Sequence, residues 1–288
     1  MATASTVPTA PVPARTWAEL VRRVRDGEFG PDPVRLRITL AFTTCQAVRH
    51  DGRSGGYRNE VLSLRLAEAV GSCAVEPGEL SPATLDECVG ADVAGLLGHP
   101  LRAVRVAALD AYLMHRLPHA PGQGAQPYPL PAGSSLDKSR ARARAVVELL
   151  PPAPAVRRVL VVGVVNSLLE QLRERGTAYV PCDLKGGTTE WGDRIRTDAM
   201  AELPHCDAIL ASGMTLGNDT FEPLLEHARA TAKPFVVFAQ TGSAVLPRFL
   251  GAGVTAVSAE PYPFFWLDGG PGTVHRYGAA PHGAGGAG

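Results

Sequence analysis

The second half of the chain alternates between two patterns. Short apolar runs stand at Arg158–Val162, Ala178–Cys182, Asp207–Ala211, Pro234–Ala239 and Val254–Ser258. Between them lie stretches with apolar residues at helical spacing, such as Val165, Leu168, Leu169 and Leu172, or Phe221, Leu224, Leu225 and Ala228. A run too short for a helix and apolar throughout is a strand buried on both faces, and strands separated by helices form a parallel sheet. The pattern predicts a doubly wound, Rossmann-like sheet of five strands, opened by a helix over Asp137–Leu150 with Ser134 or Ser135 as its cap. A short helix is expected over Thr197–Leu203 and another over Ser243–Leu250. Asp219 and Glu222 have the spacing of a capping box ahead of Phe221.

The first half reads differently. Trp17, Leu20, Val21 and Val24 mark a helix. Val34–Thr44 alternates apolar with Arg and Thr, as a strand with one wet face does. Asp51-Gly52 signals a hairpin turn. Tyr57–Leu66 fits a returning strand, and Leu64–Val70 fits a helix equally well. Helices follow from Ser81-Pro82 and from Pro100. Strands followed by helices make an α+β unit. Leu117–Pro131 holds five prolines and two glycines, a composition that predicts a linker without regular structure. The expected organisation is therefore an arm over 1–15, an α+β domain over 16–117, a linker over 118–133, a Rossmann-like domain over 134–265 and a flexible Gly/Ala-rich tail over 266–288.

Composition narrows the partners. The 288 residues include 28 Lys plus Arg and 28 Asp plus Glu, so the formal net charge is zero. That gives no general pull toward nucleic acid or an anionic membrane. No apolar run reaches the roughly 18 residues of a membrane helix, and the N-terminus lacks the form of a secretory signal. The five cysteines show no CxxC and no disulfide spacing, which suits a cytoplasmic protein.

In a parallel sheet ligands collect beyond the carboxyl ends of the strands. Gly163 and Asn166 follow the first strand, Cys182 and Asp183 the second, Gly213, Thr215, Asn218 and Thr220 the third, Thr241 and Ser243 the fourth, and Glu260 the fifth. Of these, Gly163, Asn166, Asp183, Gly213, Thr215, Asn218, Thr220, Thr241 and Ser243 are the candidate ligand-binding residues, with Cys182 and Asp183 as candidate metal ligands because a thiolate and a carboxylate suit a transition metal. Turn chemistry alone accounts for much of the Gly, Ser and Thr, and a small buried residue is the plainer role for a free cysteine. Gly163 is followed by Val164 and Val165, so the first turn lacks the GxGxxG of a dinucleotide site; Asp183 stands where a ribose-binding acid would. No P-loop or nucleophile-elbow motif occurs.

Val161–Leu169, Leu203–Asp207, Ser212–Thr220, Gln240–Pro247 and Leu250–Val254 together resemble the heavy-metal chelation domain family, with Asp207, Gly213, Thr215, Leu216, Asn218 and Thr220 carrying most of the match. The first half, through Ala91–Pro100 and Val106–Ala111, is similar to the enolase-N-terminal-like domain that precedes it in such proteins. Gln240-Thr241-Gly242-Ser243 departs from the Gly-Pro-Ser-Thr usual there. The resemblance implies a two-domain protein binding a divalent transition metal ion or a metal complex in the cleft at the strand ends, lined by Cys182, Asp183, Thr215, Asn218 and Asp219. The alternative is an enzyme binding a nucleotide-like or small anionic ligand in its Rossmann-like half. The expected partner is thus a small molecule or metal ion, not nucleic acid or membrane, with homo-oligomerisation left open.

Overall fold

The computed structural model describes residues 12–53, 55–262 and 269–278. The first half opens with helix α1 (Trp17–Arg25), capped by Thr16. Strands β1 (Leu40–Val48), β2 (Tyr57–Leu66) and β3 (Ala69–Val75) follow as an antiparallel meander. Helices α2 (Pro82–Cys88), α3 (Val93–Leu96) and α4 (Arg102–Arg116) complete it. The first strand starts later than its alternation predicts, because Asp32 caps a 3-10 turn over Pro33–Arg35 and draws those residues out of the sheet. Ala67, at φ +50°, turns the chain between β2 and β3, which resolves the ambiguity over Leu64–Val70 in favour of strands. α4 presses against β3 so closely that a Cβ on Gly71 would stand 1.9 Å from the Ala111 amide nitrogen. Only glycine permits that approach.

The second half contains β4 (Gln126–Leu130), α5 (Ser135–Val147), β5 (Arg158–Val162), α6 (Asn166–Glu174), β6 (Ala178–Cys182), α7 (Ala199–Glu202), β7 (Ala208–Ser212), α8 (Phe221–Thr231), β8 (Phe235–Ala239), β9 (Ala256–Ala259) and β10 (Gly272–Gly278). The seven-stranded sheet has the order β4-β10-β9-β8-β7-β5-β6. Five contiguous strands, β9-β8-β7-β5-β6, are parallel, as the apolar runs predict, and β10 and β4 extend the sheet antiparallel beyond β9. Side chains alternate between two layers: Val159, Val161, Leu210 and Val236 pack toward α5 and α6, while Leu160, Ile209, Ala211 and Val237 join a core shared with the first half. That shared core also holds Leu62, Leu109 and Trp17, so the two halves are packed against each other rather than loosely tethered.

Four expectations are corrected. The proline-rich segment is not a structureless linker: Gln126–Leu130 is an edge strand. Pro127 and Pro129 are tolerated because β4 has a neighbour, β10, on one side only. The region assigned to a flexible tail contains β10, with Val274 and Tyr277 buried; residues 279–288 lie outside the described ones. In the N-terminal arm, Ala14 is fully buried and its amide donates to the Arg248 carbonyl, whereas residues 1–11 are outside the described ones. The helix expected over Ser243–Leu250 is a 3-10 turn at Leu246–Phe249.

Candidate functional site

β5 is followed by a crossover to β6 on one side, and the chain then returns to place β7 on the other. This reversal is the switch point at which an open α/β sheet offers its crevice. Gly163 sits there with φ +87°, and a Cβ on it would stand 2.7 Å from the Cβ of Ser212. The first strand's turn needs glycine for this contact with the third strand's turn. α6 then begins at Asn166 with no side chain capping it. Asp183 binds the neighbouring turn: its carboxylate accepts from the amides of Val164 (3.3 Å) and Lys185 (3.0 Å).

The turn after β7 is fixed from within. Ser212 Oγ accepts from the Met214 amide, and Thr215 Oγ1 donates to the Ser212 carbonyl at 2.7 Å. Gly213 and Thr215 are buried, the latter 2% exposed. Asn218 is exposed and its Oδ1 accepts from the Thr220 hydroxyl (2.7 Å) and amide (3.3 Å). Asp219 and Glu222 do not form the capping box their spacing suggests. Asp219 adopts φ +59° and turns to Arg102, whose Nε lies 3.1 Å away. Arg102 also donates to the Leu216 carbonyl and stacks on Trp17 at 4.0 Å. Glu222 instead accepts from the Trp17 amide.

The turn after β8 is claimed by the first half. Asp110, in the middle of α4, is 2% exposed, and its carboxylate accepts from the amides of Ser72 (2.9 Å) and Ala244 (2.8 Å). The amides of Gly242 and Val245 also favour its charged form, yet burial pushes the carboxyl up to about 7. Gly242 donates to the Ser72 carbonyl. An anion-binding turn of this kind would ordinarily wait for a ligand; here the protein's own carboxylate fills it. Thr241 and Ser243 are accordingly buried, at 6% and 1% exposure. Ser243 Oγ lies 3.3 Å from Nε2 of His119, whose imidazole is pushed down to about 3 by burial and by His275 and Arg248 beside it. Asp110 gives no signal in the sequence, where an acid within a helix resembles any solvated charge.

The turn between β1 and β2 lies over the ends of β5 and β6 and the start of α5, and β1 itself reaches the segment after β9. Arg53 of that turn pairs with Glu190 and, at 2.7 Å, with Glu170 of α6, and its side chain is 12% exposed. Glu170 takes a second, bidentate partner in Arg140. His50 Nδ1 lies 2.9 Å from Ser135 Oγ, at the start of α5, and Thr44 bonds to the Tyr262 hydroxyl. Beyond β9, the buried Glu260 is held by both nitrogens of an Arg142 fork, at 2.6 and 2.9 Å. Its carboxyl is raised by burial against the opposing effect of Arg142. Arg53, Glu170, Glu190 and Tyr262 were not distinguishable as site residues in the sequence, since their partners are more than a hundred residues away or on another element.

The candidate metal pair does not fit a bare divalent ion. Cys182 is 2% exposed and belongs to the apolar layer with Leu160 and Cys206. Burial, and then the Asp183 charge, push its thiol up to about 11, and a metal takes the thiolate. Both Asp183 oxygens are occupied by backbone amides. Among the described residues, no three His, Cys, Asp or Glu side chains converge as a metal site would require. His205 and Cys206 precede β7, at the opposite end of the sheet from Cys182.

Residues 145–259 match the model of the DUF364 family, whose description is "Putative heavy-metal chelation". Two similar solved structures are DUF364 proteins of unknown function. One, from Desulfitobacterium hafniense DCB-2, is 17% identical with a TM-score of 0.56, over 85% of this chain and 88% of that one. The other, from Pyrococcus horikoshii, is 19% identical with a TM-score of 0.50, over 83% of this chain and 86% of that one. At these identities the likeness speaks for the fold, and it extends across both halves. No curated protein matches the chain. No helix among the described residues is long and apolar enough to cross a membrane.

Proposed function

We propose that the protein binds a metal as a complex, an anionic chelate, where β5 and β6 end beneath the β1–β2 turn. The observation that carries this reading is the contrast in donors. Among the described residues the strand ends hold no cluster of side chains able to strip and hold a bare ion, so a metal bound there would bring ligands of its own. The match to a heavy-metal chelation family supports metal as the cargo. The uncapped start of α6 at Asn166 supports an anionic group as the part recognised, since the first amides of a helix favour negative charge. Gly163 and Asp183 shape the floor of that turn, and the Arg53 contacts hold its roof.

Isothermal calorimetry on untagged protein tests this. Citrate complexes of Zn²⁺, Ni²⁺, Co²⁺ and Cu²⁺ are compared with each ion and with citrate alone. Binding of a complex with weak or absent binding of the bare ion is the expected result. Equal binding of the bare ions, or no heat from any complex, would refute it. The uncapped helix start also favours a second reading, in which a nucleotide-like or carboxylate ligand without metal is the substrate of an enzyme; binding of metal-free ligand alone would select that one.

A further inference from the structure

Arg248, in the 3-10 turn over Leu246–Phe249, carries a buried charge with nothing to match it. It is 9% exposed, and its guanidinium makes no hydrogen bond or ion pair among the described residues. The other two buried arginines are matched: Arg23 by both oxygens of Glu28, and Arg276 by Glu148 at 3.0 Å. An arginine cannot escape the cost of burial by giving up its proton, as a lysine or histidine can. The ionisable groups that bear on Arg248 are Tyr277 of β10, Arg23 of α1 and His119, and none is a carboxylate. Residues 1–11 and 279–288 hold no Asp or Glu. Asp268 directly precedes Gly269, which is bonded to Gly133 beyond the opposite end of β10 from Tyr277. A buried cation for which its own chain offers no acid calls for an anion from outside.

The surroundings suit one. His119 is committed at both nitrogens, to the Tyr277 hydroxyl (2.6 Å) and to Ser243 Oγ (3.3 Å). His275 stacks on it, with centroids 5.0 Å and planes 17° apart, and its own nitrogens make no hydrogen bond among the described residues. Stacked rings direct their lone pairs side by side rather than onto one ion, and a metal cation is the wrong charge beside Arg248. Both imidazoles are half-buried, so the cluster reaches solvent through them. The groups left to donate are the Arg248 fork, whose planar geometry matches two oxygens of a carboxylate or phosphate, and the His275 imidazole. We propose that Arg248 and His275 bind a compact oxyanion, a carboxylate or phosphate group, between β10 and the turn before β9, entering past the His119–His275 stack. The site is distinct from the crevice at β5 and β6, because β9, β8 and β7 stand between β10 and β5.

Phosphate and acetate, each against sodium chloride at equal ionic strength, are titrated into the untagged full chain and followed by calorimetry and thermal melting. At least one is expected to bind and to raise Tm saturably, and which one does so tells whether the ligand presents a phosphate or a carboxylate group. Arg248→Met keeps the length of the side chain and removes its charge. It is expected to weaken binding about thirtyfold or more and, without added anion, to melt no lower than wild type, since it buries no unpaired cation. His275→Phe keeps the stack on His119 and is expected to weaken binding about tenfold. No response of the wild type to either anion, a response that both variants leave intact, or an anion-free Arg248→Met that melts well below wild type would each overturn the proposal.

Discussion

Two groups of strand ends in one sheet have opposite fates. Where β7 and β8 end, the first half of the protein has closed over them. Asp110 supplies the negative charge that the amides of the β8 turn would otherwise seek, Thr241 and Ser243 are buried, and Arg102 pins the β7 turn. Where β5 and β6 end, the roof is a single hairpin turn held by side-chain ion pairs and hydrogen bonds. The first arrangement uses backbone donors with a fully buried acceptor and is part of the folded core. The second uses long side chains that can separate without exposing the core. A crevice sealed by core packing is a joint, and one covered by a hairpin is where the proposed ligand would enter.

The largest expected effect lies at the joint. Asp110→Ala leaves the amides of Ser72 and Ala244 buried without their acceptor, which costs about 3 kcal/mol. Urea unfolding should show a lower midpoint at unchanged slope. An effect near zero would mean that the turn after β8 is not held by the first half. Arg53→Ala strips Glu190 of its partner but leaves Glu170 with Arg140, so a loss of about 2 kcal/mol is expected, below the cost of a fully broken buried pair. Its signature is local: amide exchange over 49–58 accelerates while the β7 and β8 turns keep their protection. Uniform loss of protection across both groups of strand ends would erase the distinction drawn between them. The smallest effect belongs to Asn218→Ala. The side chain is exposed and bonds only within its own turn, so stability changes within about 0.5 kcal/mol.

The parallel strands were legible because burial on both faces leaves an unbroken apolar run. β4 and β10 were not, since an edge strand tolerates alternate prolines and a terminal strand with Gly272 and Gly278 resembles a tail. The site was legible only in part. Strand-end position placed Gly163, Asn166 and Asp183 at the β5 and β6 turns of the proposed site, and the same rule placed Thr215, Thr241 and Ser243 at turns that are buried. Chain-local patterns carry no information about which turns another domain will bury. Asp219 shows the same limit: its spacing to Glu222 suggests a cap, and Arg102, over a hundred residues earlier, decides otherwise.

The measurement that bears most directly on this division is hydrogen–deuterium exchange with and without a saturating metal–citrate complex. The account predicts added protection over 163–168 and 49–58, with the turns over 212–220 and 241–245 unchanged. Protection confined to those latter turns, or none near α6 and the β1–β2 hairpin while the complex is bound, would contradict it.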